Sequence, residues 1–236
     1  MKFEITIPVL NEERKLEESI SKTVHFLQTN NLTNFKIKIV DNGSTDNTKK
    51  IGEMLAQKFE VVNFTSITER GIGRALLHSW IKNESEIFGY MDLDLSTDLK
   101  YLIDVNEIFK SNLNVDVING SRLLRESKVI NRKINREIVS RVFNFLVKFN
   151  LKVNFTDAAC GFKFFKRNQE INQILNETIN REWFFPIEVL IRSNKKNLSI
   201  YEIPIIWRDD HDSKVKVISL SFNYFKEILR LKKEFK

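Results

Sequence analysis

The chain begins with an apolar run, Lys2 to Leu10 (KFEITIPVL), that predicts a strand, and Glu12 to Gln28 then predicts a helix. The alternation repeats with short joints. Strands are expected over Phe35 to Asp41, Glu60 to Phe64, Ile87 to Asp92 and Val115 to Asn119, with helices over Thr45 to Lys58, Gly71 to Lys82 and Leu99 to Lys110. Repeated βα units of this size predict an α/β fold, a mainly parallel sheet with helices on both faces, whose ligands bind at the carboxyl ends of the strands. Polar residues cluster at that edge: Asn11 and Glu12, then DNGSTD (Asp41 to Asp46), DLD (Asp92 to Asp94) and GSR (Gly120 to Arg122).

Beyond residue 120 the pattern changes. Ile130, Ile134, Ile138, Val142 and Leu146 recur every four residues, with Val139 and Phe143 beside them, which predicts an amphipathic helix. Phe162 to Phe165 reads as a strand and Glu182 to Ser193 as a helix opened by Trp183 to Pro186. Ser199 to Trp207 reads as a last strand, placed at an edge because Pro204 cannot donate to a ladder. A final helix carries Ile218, Phe222, Phe225 and Leu229 on one stripe, with Lys226, Arg230, Lys232, Lys233 and Lys236 around it. Without a linker, repeat or low-complexity segment, a single domain over 1–236 is expected.

Composition narrows the classes. With 236 residues, 42% hydrophobic and 29% charged, the chain can bury a sizeable core, which argues against disorder or a collagen-like repeat. Only 7 Gly and 3 Pro leave little room for a turn-rich β-sandwich. A single cysteine, Cys160, excludes an internal disulfide and makes a reducing compartment the default. The three histidines, at 25, 78 and 211, are scattered and cannot build a histidine zinc site. No apolar run has the ~18 residues of a membrane span, and the N-terminal segment does not read as a signal peptide, so a soluble or peripheral protein is expected.

The net charge of +7 is concentrated: Gly120 to Lys152 carries nine basic residues against Glu126 and Glu137, and the rest is neutral in sum. A basic helix with an apolar edge has three readings: a core helix with a solvated face, a nucleic-acid surface, or a surface against anionic lipid.

Asp92 and Asp94, at i and i+2 beside a strand end, point to one side and suit a hard Mg²⁺ or Mn²⁺ ion with ligand phosphates. Ser96, Thr97 or Asp98 caps the helix that follows. In DNGSTDNT, Gly43 lets the backbone approach a ligand and Asp41 can accept the imino N–H of a base. Gly71 and Gly73 in GIGRA open a helix whose free N–H groups favour an anion.

In this order IPVLNEE, VDNGSTD, GIGRA, YMDLDLS, NGSR, DAACGFKFFKR and EIPIIW with Ser213 and Lys214 behind it resemble the family 2 glycosyltransferases of GT-A fold. Within these they look most like the dolichyl-phosphate or polyprenyl-phosphate hexose synthases. The resemblance covers essentially the whole chain. It implies a Rossmann-like sheet with peripheral amphipathic helices, 1–120 binding the nucleotide-diphosphate sugar and 121–236 the acceptor. Pro8, Leu10, Glu12 and Asp41 would line the nucleotide together with Gly71, Gly73 and Asp92. Asp92 and Asp94 would hold the metal and diphosphate, and Arg122, Ser213 and Lys214 would meet phosphate groups. The basic helix, with Arg132, Lys133 and Arg136, falls where relatives lay helices against the bilayer. An inverting hexosyltransferase at the cytoplasmic face of a membrane is therefore expected, acting on a polyprenyl phosphate, with UDP-glucose ahead of GDP-mannose because CGFKFF is closer to glucosyl-type relatives. A hydroxyl acceptor would require a general base, for which Asp157 is the first candidate and Glu188 the second. Since relatives often add transmembrane helices, a separate membrane protein is a further candidate partner.

The chain departs from the pattern at several places. Asn42 replaces a frequent second Asp, Glu69 stands where many relatives have Asn, and no glycine closes the GSR segment, which leaves Arg125 and Lys128 without a fixed place. Pro186 occupies the Asp position of a WxFDxE-like stretch. DLDLS also fits a DxDxS-type magnesium phosphatase, but the later acidic pair which that chemistry needs is missing. No nucleic-acid motif accompanies the basic stretch, and strand-end carboxylates would repel a phosphate backbone, so no nucleic-acid partner is expected.

Overall fold

The computed structural model describes residues 1–111, 114–209 and 217–235. Seven strands form one sheet: β1 (Phe3–Val9), β2 (Phe35–Asn42), β3 (Val62–Ile67), β4 (Ile87–Met91), β5 (Val117–Ser121), β7 (Phe162–Lys166) and β8 (Ile200–Pro204), in the order β3-β2-β1-β4-β7-β5-β8. All neighbours are parallel except β7, which runs antiparallel between β4 and β5. A strand from the second half of the chain thus sits inside the sheet of the first. Two short strands, β6 (Lys128–Ile130) and β9 (Ile206–Arg208), form a separate parallel pair.

The helices are α1 (Leu16–Thr29), α2 (Thr48–Lys58), α3 (Ile72–Lys82), α4 (Tyr101–Ser111), α5 (Ile134–Leu151), α6 (Gln169–Glu177), α7 (Phe185–Lys195) and α8 (Val217–Glu234). α1 and α2 begin later than their charge patterns suggest, because Glu12 to Lys15 and Thr45 to Asn47 are spent on the turns that leave β1 and β2. The expected strand from Ser199 to Trp207 divides at Ile205. Its N–H donates to the Ser121 carbonyl, and β9 leaves for the second sheet. β8 is an edge strand, as Pro204 requires.

Each sheet face has its own core. Phe3, Ile5, Ile7, Ile37 and Phe164 pack on one side, while Trp80 on the other meets Phe88, Phe165 and Phe185 at ring-centroid distances of 5.2, 5.3 and 5.7 Å. The Trp80 indole N–H donates to Thr6 Oγ1, so this large side chain is buried with its polar atom satisfied.

α5 is amphipathic in the opposite sense to a core helix. Ser140 and Asn144 are buried together with Val147 and Leu151, whereas Ile134, Ile138, Val142, Phe145 and Phe149 are 79, 56, 52, 65 and 69% exposed. At 100° per residue these five lie within an arc of about 80°. Ile130, expected on the same stripe, belongs to β6. α8 packs beside α5, with Phe143 against Tyr224 and Lys232 donating to Asn150, and it exposes Phe225 and Leu229. Ile218 and Phe222 lie outside the described side chains. Among the described residues no helix is long and apolar enough to cross a membrane.

Candidate functional site

The carboxyl ends of β1, β2 and β4 lie side by side, and each leaves through a residue of positive φ: Asn11 at 55°, Gly43 at 90° and Leu95 at 53°. A leucine in the left-handed region costs about 1 kcal/mol or more, and such strain concentrates where a loop must present groups to a ligand. The β1 and β2 turns are stitched together. Asn11 accepts from Thr45 N at 2.8 Å and its own N–H donates to Ser44 Oγ at 2.8 Å, while Glu12 N donates to Thr48 Oγ1 at 2.8 Å. Pro8, Leu10 and Glu12 are half-buried along this edge.

Asp41 is 1% exposed, and its two oxygens accept from Ser44 N (3.0 Å) and Ser66 Oγ (2.8 Å), so its first task is to fix the turn. Asn42 donates to the Val9 carbonyl and accepts from Gly71 N, two jobs that an aspartate could not both do. Gly71 and Gly73 also answer to packing. A Cβ at Gly73 would lie 2.5 Å from Phe185 Cβ and 2.8 Å from the Arg181 carbonyl oxygen, and Arg74 N already donates to that carbonyl. The α3 N-terminus is capped by the 181–185 segment, and the glycines permit that approach.

Asp94 is exposed and accepts from Ser96 N at 2.9 Å. Asp92 is half-buried, and burial together with the neighbouring Asp94 charge pushes its carboxyl up to about 7, against the opposing pull of Arg122 and Lys163. Asp92, raised by burial and by the charge beside it, and the exposed Asp94 form a paired-carboxylate donor set. Such a donor set fits a hard divalent cation shared with a diphosphate. Among the described residues no group of three or more acidic, His or Cys side chains is placed to hold a metal ion.

Asp92 backs onto Gly161, where a Cβ would collide with its carboxylate. No motif in the sequence reading assigned Gly161 a role. Gly161→Ala is expected to displace Asp92 and lower turnover at least ~100-fold, the scale on which a misplaced catalytic group is felt. An unchanged turnover number in the purified variant would exclude that role.

The loop before β7 carries Asp157, which is fully buried, and it grips Arg122 through Nε (2.7 Å), Nη2 (2.9 Å) and the backbone N–H (3.1 Å). Burial alone would raise this carboxyl. The Arg122 guanidinium outweighs it and holds Asp157 down at about 2. Asn144 on α5 donates to Asp157 Oδ1, and Glu202 on β8 accepts from Thr156 N and Thr156 Oγ1, so helix and edge strand both brace the loop. Lys163, fully buried in the apolar run of β7, donates from Nζ to the Cys160 carbonyl. Glu188 is also fully buried, accepting from Arg192, Arg230, Ile179 N and Asn180 N; it ties α8 to α7. Ser213 and Lys214 lie outside the described residues.

A cleft of about 520 Å³ opens beside Arg122, lined further by Arg125, Arg132, Arg141, Glu137 and Ile134. The Arg132 side chain is 9% exposed; it stands 3.4 Å from Glu137, while its Nε and Nη1 make no hydrogen bond among the described residues. Arg136 is paired with Asp209 at 2.6 Å. Of the three basic residues expected to meet a membrane, only Lys133 is exposed; Arg132 turns into the cleft and Arg136 into an ion pair.

The family model for glycosyl transferase family 2 matches residues 4–172. Glycosyltransferase AglD of Haloferax volcanii is 28% identical over 228 residues, 96% of this chain and 36% of that protein. The dolichyl-phosphate beta-glucosyltransferases of Saccharomyces cerevisiae and Dictyostelium discoideum are 28% and 26% identical over 95% and 97% of this chain, which spans 72% and 73% of their lengths. In fold the chain matches glucosyl-3-phosphoglycerate synthase of Mycobacterium tuberculosis, solved with Mn²⁺, UDP-glucose and phosphoglyceric acid, with a TM-score of 0.70 over 98% of this chain and 80% of that one, at 15% identity.

Proposed function

The chain belongs to glycosyl transferase family 2, and on that premise we propose that it moves a hexose, glucose from UDP-glucose in the first instance, onto the phosphate of a polyprenyl or dolichyl phosphate at a membrane surface, with inversion at the anomeric carbon. That the yeast and Dictyostelium relatives are dolichyl-phosphate beta-glucosyltransferases supports the acceptor class. One observation carries the reading: the arginine-lined cleft and the outward apolar stripe of α5 meet at Ile134, which belongs to both. A phosphate in the cleft would leave its prenyl chain on the stripe.

The donor would lie along the β1, β2 and β4 ends, with its base near Pro8, Leu10 and Asp41 and its diphosphate at Asp92 and Asp94. These two carboxylates would hold Mg²⁺ or Mn²⁺, which when bound neutralises charge on the departing diphosphate. Arg122 supplies fixed positive charge on the acceptor side, where it costs no reorganisation. A phosphate monoester is already an oxyanion, so no proton need be removed. Asp157 therefore serves by orienting Arg122; a carboxylate with both oxygens on a guanidinium is a poor base. Glu188 is spent on Arg192 and Arg230. Residues 1–120 would form the donor half and 121–236 the acceptor half of one domain, at the cytoplasmic face.

The test is direct: UDP-glucose and GDP-mannose, each with Mn²⁺ and a short polyprenyl phosphate, followed by mass spectrometry. Glucosyl phosphoprenol from UDP-glucose is the expected product. Transfer to a soluble sugar hydroxyl but to no lipid phosphate would reject the acceptor.

A further inference from the structure

Trp207 is 7% exposed and lies between the donor and acceptor sides of the site. On the donor side, β9 is tied to the loop that carries Asp94: Trp207 forms a bridge with Thr97, Arg208 N donates to the Ser96 carbonyl, and Asp98 N donates to the Ile206 carbonyl. On the acceptor side, the Arg122 guanidinium carbon stands 5.0 Å from the centroid of the Trp207 ring. The indole is itself held. Its Nε1 donates to Asp209 Oδ1 at 3.3 Å, while Asp209 Oδ2 accepts from Arg136 at 2.6 Å and Asp209 N donates to the Ile130 carbonyl.

A guanidinium gripped along one edge by a carboxylate is fixed in its own plane but can still pivot about that edge. An aromatic ring with the guanidinium carbon 5.0 Å over its face restricts that pivot and uses none of the five N–H donors. Asp157 takes one N–H each from Nε and Nη2, which leaves three for a ligand. The face of an indole also attracts the cation, most strongly where water is excluded. A bland core role would require only the volume of Trp207, and it would leave unexplained why the ring presents its face to the one arginine that Asp157 has already aligned.

We propose that Trp207 is a positioning residue for transfer: its indole face holds the Arg122 guanidinium in the orientation that receives the acceptor phosphate. The role rests on the acceptor reading given above, so the experiment separates the two. In the full chain, with UDP-glucose and a short polyprenyl phosphate, Trp207→Leu is expected to lower kcat ~10- to 30-fold, with UDP affinity by calorimetry unchanged. Trp207→Phe keeps an aromatic face and should stay within ~3-fold of the parent. The double variant Trp207→Leu with Arg122→Lys should be no slower than Arg122→Lys alone, because a residue acting only through Arg122 has nothing further to lose.

A second readout needs no turnover. The Arg122 Nε–H resonance should carry a ring-current shift in the parent that shrinks in Trp207→Phe and vanishes in Trp207→Leu, and Trp207→Phe alone carries this test should the leucine variant fail to fold. Losses that multiply in the double variant, or an Nε–H resonance unmoved by either substitution, would overturn the proposal. A parent that glucosylates no polyprenyl phosphate, with the resonance behaving as stated, would reject the acceptor and leave the indole platform standing.

Discussion

Asp94→Ala is expected to reduce glucosyl transfer by ~10²- to 10³-fold, the range seen when one preorganised charge-stabilising group is removed from an active site. The fold should barely notice. Asp94 is exposed, and its one hydrogen bond described is the local contact from Ser96 N, so the melting temperature should fall by no more than about 4 °C. On the proposed mechanism the effect on chemistry is large, because the leaving diphosphate gains negative charge as the glycosidic bond breaks and the carboxylates just beyond β4 would hold a cation against it. Raising Mn²⁺ through a wide range separates weaker metal holding from lost chemistry. A variant that regains parental turnover only at saturating Mn²⁺ has lost metal holding and nothing else, whereas one that matches the parent at every Mn²⁺ concentration would leave the metal-holding role to Asp92 alone.

What was legible in the sequence follows from what is local. β1, β2, β4 and β5 each combine an apolar run with a polar exit, and those exits form the candidate site. Pairing is not local: FKFF reads as a strand, yet nothing in it says that it runs antiparallel between β4 and β5, and that placement brings Gly161 against Asp92 and Asp157 against Arg122. α6 escaped notice because its nine residues bury only Ile171, Ile174 and Leu175. A lysine inside an apolar strand is a signal for Lys163, whereas nothing local to EIPIIW pairs its Trp207 with Arg122. Periodicity tells which residues share a helix face but not which way that face looks. Arg132 and Arg136 accordingly read as an exposed basic patch, while the structure turns one into a cleft and pairs the other with Asp209.

That inversion moves the membrane test from charge to the apolar stripe. Replacing Ile138, Val142 and Phe145 together by Ser should release the protein from vesicles containing anionic lipid. These side chains are 56, 52 and 65% exposed and so support little of the fold. Burying a Val, Ile or Phe side chain is worth roughly 1.5–3 kcal/mol; even half of that for each of the three would change partitioning by ~50-fold or more. The flanking Lys148 and Lys152 are exposed at the C-terminal end of the same helix and would add about 1 kcal/mol each on an acidic surface, a contribution that salt removes. Because the serine variant keeps those charges, the two terms can be read separately: its residual binding should vanish in high salt, while the parent retains a salt-resistant fraction. Transfer to a long polyprenyl phosphate in vesicles should fall with binding, and transfer to a short, soluble one should not. Equal vesicle binding by variant and parent at every salt concentration would remove α5 from the membrane and leave its exposed stripe for a protein partner.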